Sequence, residues 1–388
     1  MRRLIFLLLA PLLAAQANLA AAVRVGAERM EVYIPLTQNK KVGLVANHTS
    51  LVGGVHLLDT LRSRGVHMLR IFAPEHGFRG TMEAGANVAS YTDKKSGVEI
   101  TSIYGASKKP SREQLRGVQL MIFDVQDVGV RFYTYLSTLH YVMESCAENG
   151  VPLIVLDRPN PNGLYVDGPI LEPKYRSFIG MHPIPIVHGM TLGELARMIN
   201  GEAWLKNGVQ CELTVIACEN YNRAEEYQLP AKPSPNLPNM RSVYLYPSLC
   251  LFEGTTMSVG RGTDFPFQVF GHPNWRGKQF FFKPRSIKGV AENPPYRQRN
   301  CYGVDLRKIA IDSLLNQRQL RLEYLLEAYR YFAGKEKFFT DFFPMLAGNS
   351  RLQKQVEQGM SAAQIRASWQ PDLKKFKQQR KKYLLYED

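Results

Sequence analysis

Short apolar runs alternate with amphipathic stretches between residues 42 and 217. Runs of strand length that end in polar or turn-forming residues predict strands over residues 42–47, 69–73, 98–104, 118–125, 151–156 and 213–217. Apolar residues three and four positions apart predict helices between them, over residues 57–64, from Ser111, over 135–149 and from Thr191, which has capping-box spacing with Glu194. Because strands that alternate with helices build layered sheets, the pattern predicts an α/β fold with a mostly parallel sheet and helices on both faces.

A proline-rich segment separates this pattern from a different one. Four prolines fall between Leu229 and Pro238, so the segment is neither helix nor central strand, and we interpret it as an inter-domain connection. The predicted domains are residues 23–232, expected to form a core of their own, and a smaller α+β unit over residues 233–388. Helices are predicted in the second unit over residues 306–315, 319–332, 361–369 and 373–383, with Pro371 parting the last two.

The N-terminus has the features of a secretory signal peptide. Arg2 and Arg3 precede a short apolar run over residues 4–13, and alanines at positions 20–22 form a cleavage site, so residues 1–22 are predicted to be a signal peptide. The apolar run is too short to span a bilayer, and no other segment is long and apolar enough to do so. The mature protein is therefore expected to be exported, periplasmic or extracellular, with no integral membrane segment.

The net charge limits the classes of partner to expect, and the cysteine spacing argues against a metal site. The formal net charge is +15, which for an exported protein suits an anionic polymer or surface and argues against nucleic acid. Part of the excess lies in the basic stretch over residues 374–382, which is equally explained as the solvated face of a terminal helix. The cysteines lack metal-binding spacing and are predicted to be buried free thiols: Cys146, Cys211, Cys218, Cys250 and Cys301.

Acidic and polar residues follow three of the predicted strands where each strand ends. Because the carboxyl ends of parallel strands share one edge of a sheet, and ligands bind at that edge, these side chains are expected to line one pocket. Such a pocket of acids, bases and hydrogen-bond donors is typical of an enzyme. The candidate residues are Glu75, His76 and Arg79 after one strand, Asp124, Gln126, Asp127, Arg131, Tyr133 and Tyr135 after the second, and Asp157, Arg158 and Asn160 after the third.

Glu75 is the candidate proton donor. It follows a proline at the end of an apolar strand, and a partly buried glutamate near apolar residues has a raised pKa and can donate a proton at neutral pH. The structural alternative is an ion pair between Glu75 and Arg79. Glu83 lies in a polar stretch and is a candidate second carboxylate, although a solvated loop residue explains it equally.

Asp124 and Asp127 are further catalytic candidates with a geometric restriction. In a strand, Asp124 and Gln126 point to one face and Asp127 to the other, so they face one ligand together only if the strand has ended by Gln126. The alternative role for either aspartate is a partner of Arg131 or of the backbone. Tyr133 and Tyr135 suit stacking on a sugar face, or else are buried residues at the start of a helix.

Other candidates lie in turns and in the second unit. Asp157 and Asn160 belong to a turn-rich segment, where Asx-turns are the structural alternative. His188 precedes a helix N-terminus, where anionic groups bind well, or is a structural histidine. Glycine-flanked polar clusters, where the backbone can approach a ligand closely, contain Glu253, Arg261 and Thr263.

Several cofactor and nucleophile motifs are missing from the sequence. There is no GxGxxG after the first strand, no phosphate-binding GxxxxGK[ST], no GxSxG and no HExxH. The remaining possibilities are carboxylate chemistry without a cofactor, metal-assisted hydrolysis, or binding alone.

These segments together resemble the DUF1343 family, the NamZ-type exo-β-N-acetylmuramidases of glycoside hydrolase family 171. The resemblance runs in one order through most of the mature chain. It rests on blocks at residues 42–49, 74–80, 90–93, 123–135, 156–161, 168–173, 188–191, 234–238, 253–255 and 260–263. Many relatives carry Glu directly before the Gly-Arg-Gly-Thr block, where this chain has Val259.

The resemblance implies a Rossmann-like N-terminal domain, a smaller C-terminal domain and an active cleft where they meet. It also implies release of N-acetylmuramic acid from the non-reducing end of peptidoglycan fragments, without a metal or another cofactor, and it adds Asn236 to the candidate substrate-binding residues. Muramic acid carries a lactyl carboxylate, which an arginine can bind bidentately. Arg131 is the favoured candidate for this contact, followed by Arg158.

Two other functions remain open from the residues. One is a metal-dependent amidase or deacetylase that uses His76, Asp124, Asp127 and His188. The other is a non-catalytic cell-wall binding protein, which would bind muropeptides without releasing a product.

Overall fold

The computed structural model describes residues 22–80, 90–105, 107–277, 279–332 and 337–387. The predicted signal peptide, apart from Ala22, and the candidate Glu83 lie outside the described residues. The strands of the described ranges are β1 (Lys41–Ala46), β2 (Leu51–Val52), β3 (Val55–His56), β4 (His67–Ala73), β5 (Tyr91–Thr92), β6 (Glu99–Ser102), β7 (Leu120–Asp124), β8 (Leu153–Leu156), β9 (Leu213–Ile216), β10 (Val269–His272), β11 (Phe281–Phe282) and β12 (Cys301–Asp305). The helices are α1 (Met30–Tyr33), α2 (Leu57–Ser63), α3 (Tyr135–Asn149), α4 (Leu192–Gly201), α5 (Met240–Leu249), α6 (Ile311–Gln317), α7 (Leu322–Tyr331), α8 (Phe343–Ala347), α9 (Arg351–Glu357) and α10 (Ala362–Arg380).

The predicted α/β fold is confirmed. Over the described ranges the main sheet has seven strands in the order β5-β6-β4-β1-β7-β8-β9, all parallel except the β5–β6 pair. The chain moves outward from β1 in one direction, returns to β7 on the other side of β1, and then continues outward. The carboxyl ends of β4, β1, β7 and β8 are therefore neighbours, and these ends carry the candidate residues.

The second part of the chain has its own antiparallel sheet, in the order β10-β12-β11, surrounded by α5 to α10. One of its helices corrects a prediction, because α10 continues through Pro371 instead of breaking there. Pro371 is exposed, so water can bind the carbonyl that loses its helical partner, while Trp369 and Leu373 on either side are buried. Packing of the buried apolar residues of α10 therefore outweighs the tendency of proline to break the helix.

The helix predicted from Ser111 is also wrong, because the chain makes only a hydrogen-bonded turn there. Ser111 accepts hydrogen bonds from Gln114 and Leu115 as an N-cap would. Gly117, with a φ of +81°, then turns the chain toward β7 before a helix can continue. By contrast, α3 has the predicted bounds, and Thr191 and Glu194 form the predicted capping box at α4.

The two faces of the main sheet are buried in different ways. Leu44 and Ile122 belong to an apolar cluster made almost entirely by residues before the proline-rich connection. Val45 and Phe123, which point to the opposite face, belong to a cluster that continues into the second part and includes Phe343. One face of the main sheet is therefore buried within the first part of the chain, and the other face shares its core with the second part.

All five cysteines are buried free thiols, as predicted. No helix in the described ranges has the length and apolar character needed to cross a membrane.

Candidate active site

A cleft of about 170 Å³ lies between the carboxyl end of β4 and the second part of the chain. Its walls come from both parts and from the connection between them. The lining includes the predicted residues Glu75, His76, Tyr133, Asn236, Glu253 and Arg261, together with Tyr104, Phe132, Thr134, Ile179, Ser234, Leu237, Tyr246, Cys250, Phe267, Phe342 and Leu346. The cleft therefore brings residues from the β4 end and from the Glu253 and Arg261 clusters into one lining.

Two hydroxyl groups orient the carboxylate of Glu75. The Tyr104 hydroxyl donates to Oε1 at 2.9 Å, and the Thr134 hydroxyl donates to Oε2. The Glu75 residue itself is 9% exposed, so its carboxylate lies at the base of the cleft instead of in bulk water. Burial first, and then the neighbouring Glu75 charge, raise the pKa of Tyr104, so its hydroxyl stays protonated and remains a donor.

The backbone directly after Glu75 explains how the carboxylate is presented. His76 has a φ of +69°, a left-handed conformation that is uncommon for a residue other than glycine. The chain thereby turns sharply at the end of β4, and Glu75 and His76 both line the cleft. The predicted alternative of a Glu75–Arg79 ion pair is replaced by a pair between Arg79 and Asp93, with Nη2 and Oδ1 2.6 Å apart.

The opposite wall carries an ion pair between Glu253 and Arg261. Arg261 Nε donates to Glu253 Oε1 at 2.5 Å, and the guanidinium lies over the Phe267 ring at 5.1 Å. Burial lowers the pKa of Arg261, but the Glu253 carboxylate raises it by more, so the net direction is upward. The pair therefore places a permanent cation and a carboxylate on the wall facing Glu75.

Two tyrosines and one asparagine complete the polar surroundings. Tyr133 lines the cleft and donates its hydroxyl to the Pro233 carbonyl at 2.9 Å, whereas Tyr135 is buried and accepts from Asn47 Nδ2 at 2.8 Å. Tyr135 thus supports the cleft from behind. Asn236 Nδ2 donates to the Val290 carbonyl, and its buried Oδ1 has no hydrogen-bond partner among the described residues. This amide oxygen is consequently the group of Asn236 suited to accept a hydrogen bond from a ligand.

Asp124, predicted as catalytic, lies outside the cleft lining. Its carboxylate is fully buried and binds Arg158 through two hydrogen bonds, Nε–Oδ1 at 2.5 Å and Nη2–Oδ2 at 2.9 Å. Arg158 also donates to the Leu51 carbonyl at 2.9 Å. Both side chains are therefore used in a buried ion pair that ties the ends of β7 and β8 together.

Arg131, the favoured partner for a substrate carboxylate, is likewise buried. Its Nη1 donates to the carbonyls of Pro169 and Ile184 at 2.8 and 2.7 Å, and its Nη2 donates to the Leu346 carbonyl at 2.9 Å. Burial lowers its pKa to about 9, so it remains charged at neutral pH. The guanidinium links the first part of the chain to α8 and is directed away from a substrate.

Asp127 and Gln126 also lie beside the cleft and outside its lining. Asp127 Oδ1 accepts from Gly129 N at 2.7 Å, and its buried Oδ2 has no hydrogen-bond partner among the described residues. Burial raises the pKa of Asp127 to about 7, against the smaller lowering effect of backbone N–H groups. Gln126 donates Nε2 to the carbonyls of Asp127 and Pro159, which fixes the turn after β7.

The remaining predicted residues support other parts of the structure. Asp157 accepts from Thr191 Oγ1, Gly193 N and Tyr386 Oη at the start of α4, while its pKa is raised to about 6 by burial. Asn160 holds a turn by donating to the Met190 carbonyl and accepting from Asn162 N. Burial lowers the pKa of His188 to about 3, so this histidine is neutral. Thr263 donates to the Gly260 carbonyl within a turn.

The raised pKa of Asp127 predicts a pH-dependent stability difference. In the unfolded chain Asp127 loses its proton near pH 3.8, whereas the folded protein holds it to about pH 7. Unfolding therefore releases a proton from Asp127 between these values, and the contribution of Asp127 to the wild-type free energy of unfolding falls as the pH rises through this window. Asp127→Asn has no such proton, so its free energy of unfolding relative to wild type is expected to rise by about 4 kcal/mol across the window.

Urea unfolding of both proteins at a series of pH values measures this difference. The buried histidines, such as His188 and His140, titrate in both proteins, so their contributions cancel in the comparison. A difference that stays constant with pH would mean that the folded protein ionises Asp127 normally.

Tyr104 and Thr134 were not predicted from the sequence, although both bind Glu75. The register of the sheet explains Tyr104: Ala73 of β4 pairs with Ser102 of β6, and Glu75 and Tyr104 each lie two residues further along. Thr134 stands between the two predicted tyrosines, immediately before α3. The contacts of Tyr104 and Thr134 with Glu75 could be predicted only by knowing which elements are neighbours in space. The order of the elements along the chain does not provide this knowledge.

The proposed metal-ligand set is not assembled in this fold. His188 and Asp124 lie in separate buried networks, and Asp124 is bound by Arg158. Within the described ranges, no three His, Cys, Asp or Glu side chains come close enough together to hold a metal ion. The cleft instead brings together a carboxylate held by two hydroxyls, a facing ion pair and aromatic walls, an arrangement suited to acid chemistry on a sugar.

Comparison with solved structures shows the same architecture. A DUF1343 family protein from Bacteroides fragilis NCTC 9343 has a TM-score of 0.88 and 48% sequence identity, over 95% of this chain and 100% of that chain. A second DUF1343 family protein from the same strain has a TM-score of 0.77 and 28% identity, over 94% of this chain and 99% of that one.

Sequence comparison agrees and is more specific. The peptidoglycan beta-N-acetylmuramidase NamZ of Bacillus subtilis (strain 168) is 38% identical over 369 residues, which cover 90% of this chain and 87% of the relative. Sequence models of the N-terminal and C-terminal parts of the exo-beta-N-acetylmuramidase NamZ match residues 42–241 and 244–386. The resemblance seen in the motifs is thus confirmed, and the chain belongs to the NamZ family of exo-β-N-acetylmuramidases.

Proposed function

We propose that this protein is an exo-acting glycoside hydrolase that releases N-acetylmuramic acid from the non-reducing end of peptidoglycan fragments. The observation that carries the proposal is the Glu75 carboxylate, held by Tyr104 and Thr134 at the base of a cleft opposite Glu253 and Arg261. The description of the Bacillus subtilis relative as a peptidoglycan beta-N-acetylmuramidase supports the same substrate class.

Glu75 is proposed as the general acid of this reaction. Cleavage of a glycosidic bond needs a proton on the leaving oxygen while positive charge develops on the sugar. Tyr104 and Thr134 each bind one carboxyl oxygen of Glu75, which fixes the plane of the carboxyl group before a substrate arrives. In the acid form one of these hydroxyl groups no longer donates, and the proton on that oxygen of Glu75 passes to the leaving oxygen. Glu253 is the carboxylate of the facing wall and is proposed to stabilise the positive charge.

Arg261 is proposed to bind the lactyl carboxylate of muramic acid. Arg131 and Arg158, the candidates from sequence, use their guanidinium groups inside the protein. Arg261 lines the cleft, and its hydrogen bond to Glu253 engages Nε, so the Nη groups are the atoms placed to meet a substrate carboxylate.

Arg261→Lys is expected to reduce turnover of muramyl substrates selectively. Lysine keeps the charge but lacks the planar fork that binds a carboxylate bidentately, and loss of one charge-assisted hydrogen bond costs about 1.5–3 kcal/mol. The kcat/KM for an aryl β-N-acetylmuraminide should therefore fall by roughly 10- to 150-fold. The kcat/KM for the matching glucosaminide, which has no lactyl group, should fall much less.

Arg285→Lys is the matched control, because Arg285 is an exposed arginine that also forms an ion pair, with Asp264. Arg285→Lys should leave kcat/KM unchanged for both substrates. Equal losses on the muramyl and glucosaminyl substrates in Arg261→Lys would assign Arg261 a structural role through Glu253.

The proposed activity is tested directly with a disaccharide of N-acetylmuramic acid linked β-1,4 to N-acetylglucosamine, with products identified by mass. Release of the two monosaccharides is expected. Activity on a peptide or acetyl group that chelators abolish would support the amidase or deacetylase alternative. Binding of muropeptides with no product would indicate a cell-wall binding protein.

Export is proposed on the sequence of residues 1–22. Expression of the full chain in a bacterial host should yield a mature protein outside the cytoplasm whose first residue, by mass, follows the cleavage site. A cytoplasmic protein that keeps Arg2 and Arg3 would contradict this proposal.

A further inference from the structure

A second and larger groove lies on the first part of the chain, next to the cleft. It encloses about 800 Å³ and is open to solvent. The partly exposed rings of Tyr141, Phe178 and Trp204 line it, together with the exposed side chains of Arg176 and Lys206. We call this surface the aromatic groove. The proposed cleavage reaction uses none of these five residues.

The aromatic groove begins where the cleft ends. Ile179 lines the cleft, and its neighbour Phe178 lines the groove. The Phe178 ring lies 5.9 Å from the ring of Tyr104, whose hydroxyl binds Glu75. A ligand bound at Glu75 can therefore extend into the groove across the Tyr104–Phe178 contact.

Two stacked pairs of rings fix the aromatic side chains of the groove. Tyr141 stacks on Phe178 with centroids 6.1 Å apart and planes 11° apart. Further along, Trp204 stacks on the buried His182 at 5.2 Å, which holds the indole in place from behind. Partly exposed aromatic faces that are fixed by packing suit the apolar faces of pyranose rings, which can lie flat against them.

The charge of the groove is basic. Arg176 and Lys206 are exposed at its rim, and Lys108 Nζ lies 5.0 Å from the centre of the Phe178 ring. The acidic side chain in the lining, Glu144, pairs with Lys109 at 2.7 Å, which also pairs with Glu148, and it accepts from the backbone N–H of Lys206. The surface therefore suits a ligand that alternates sugar rings with carboxylates.

We infer that the aromatic groove binds the leaving-group side of the glycan chain, the sugars beyond the bond that is cut. This inference rests on the proposed function. The cleft, at about 170 Å³, is far smaller than the groove at about 800 Å³, so it takes the terminal muramic acid, and the rest of the chain must lie elsewhere. The following sugars stack on Phe178, Tyr141 and Trp204, and the carboxylate of the next muramic acid binds Arg176 or Lys206.

The test compares a peptide-free tetrasaccharide, two MurNAc-GlcNAc units, with the MurNAc-GlcNAc disaccharide. Wild-type protein should have the higher kcat/KM for the tetrasaccharide. Trp204→Ala and Arg176→Ala should each lower that value by about tenfold, the size expected for one lost charge-assisted contact or one lost stacked ring. Both variants should remain within about twofold of wild type on the disaccharide, because its single leaving-group sugar carries no carboxylate for Arg176 and lies next to Phe178, short of Trp204.

Phe281→Ala is the matched control, since Phe281 is an aromatic residue of β11 that is 55% exposed and lies outside both the cleft and the groove. It should behave as wild type on both substrates. Arg176 is exposed, so Arg176→Ala tests the proposal even if Trp204→Ala fails to fold.

Three outcomes would overturn the proposal: equal losses on both substrates, no loss on the tetrasaccharide, or a preference for a disaccharide with a peptide stem over the tetrasaccharide. Calorimetric binding of the tetrasaccharide separates this proposal from the proposed function. If no substrate is cleaved but binding is present and is weakened by Arg176→Ala, the groove is supported and the hydrolase function fails. Absence of both cleavage and binding would overturn both.

Discussion

Replacing Glu75 by glutamine is expected to lower kcat on the MurNAc-GlcNAc disaccharide by on the order of 10² or more. Glutamine has nearly the same shape: its amide oxygen still accepts a hydrogen bond from one of the Tyr104 and Thr134 hydroxyls and its NH2 group can donate to the other, but it carries no acidic proton. The loss should therefore appear in kcat more than in KM, and the thermal midpoint of unfolding should stay close to that of wild type.

A substrate with a better leaving group makes this experiment more specific for proton donation. An aryl muraminide with an acidic phenol needs little protonation, so Glu75→Gln should retain much more activity on it than on the disaccharide. Glu113→Gln is the matched control, because Glu113 is an exposed glutamate on the turn after Ser111 that pairs with Arg116 at the surface. Wild-type turnover of the disaccharide by Glu75→Gln would remove Glu75 from the role of general acid.

Asp124→Asn is expected to have the opposite effect, a loss of stability with little change in the activity of each folded molecule. The substitution removes one charge of a fully buried pair and leaves the Arg158 guanidinium without a counter-charge. Breaking such a pair costs about 3–5 kcal/mol. Urea unfolding measures the free-energy change, and kcat is then normalised to the folded fraction determined under the assay conditions.

A double variant tests whether the stability lost in Asp124→Asn comes from the unpaired charge of Arg158. Asp124→Val combined with Arg158→Met removes both charges and replaces them by apolar side chains close to them in volume, which is often neutral or stabilising. Most of the lost stability should return, except for the Leu51 carbonyl that loses its Arg158 donor. If Asp124→Asn instead unfolds like wild type and is inactive, Asp124 has a direct part in catalysis.

The two predictions concern carboxylates that have the same signature in the sequence. Glu75 and Asp124 both follow an apolar run at the end of a parallel strand, and both have basic residues nearby. In the structure Glu75 faces a cleft and Asp124 faces Arg158. Arg158 comes from the next strand of the sheet, 34 residues away along the chain. Local pattern therefore identifies the strand end, whereas the neighbouring strand determines what the acid does there.

Two arginines show the same limit of local sequence patterns, here for contacts between distant parts of the chain. Arg131 follows a strand end that carries an aspartate and was favoured for substrate binding, whereas Arg261 stands in a glycine-flanked polar cluster. Arg131 reaches the Leu346 carbonyl, 215 positions away, and becomes a link between the two parts of the chain. Arg261 remains at the cleft because its partner, Glu253, is only eight positions away and lies on the same wall.

Patterns within short stretches of the chain were enough to predict the α/β fold, the bounds of α3, the capping box of α4 and the place of Glu75 at a strand end, and ordered motifs were enough to identify the family. The structural features depend on hydrophobic periodicity and on residues close together in the chain, which act before any distant contact forms. Contacts between distant segments, by contrast, make Tyr104 and Thr134 hold Glu75, make Asp124 and Arg131 internal supports, and let α10 continue through Pro371. Burial and hydrogen-bond pairing depend on which distant segments pack together, and these contacts outweigh local preferences once the core has formed.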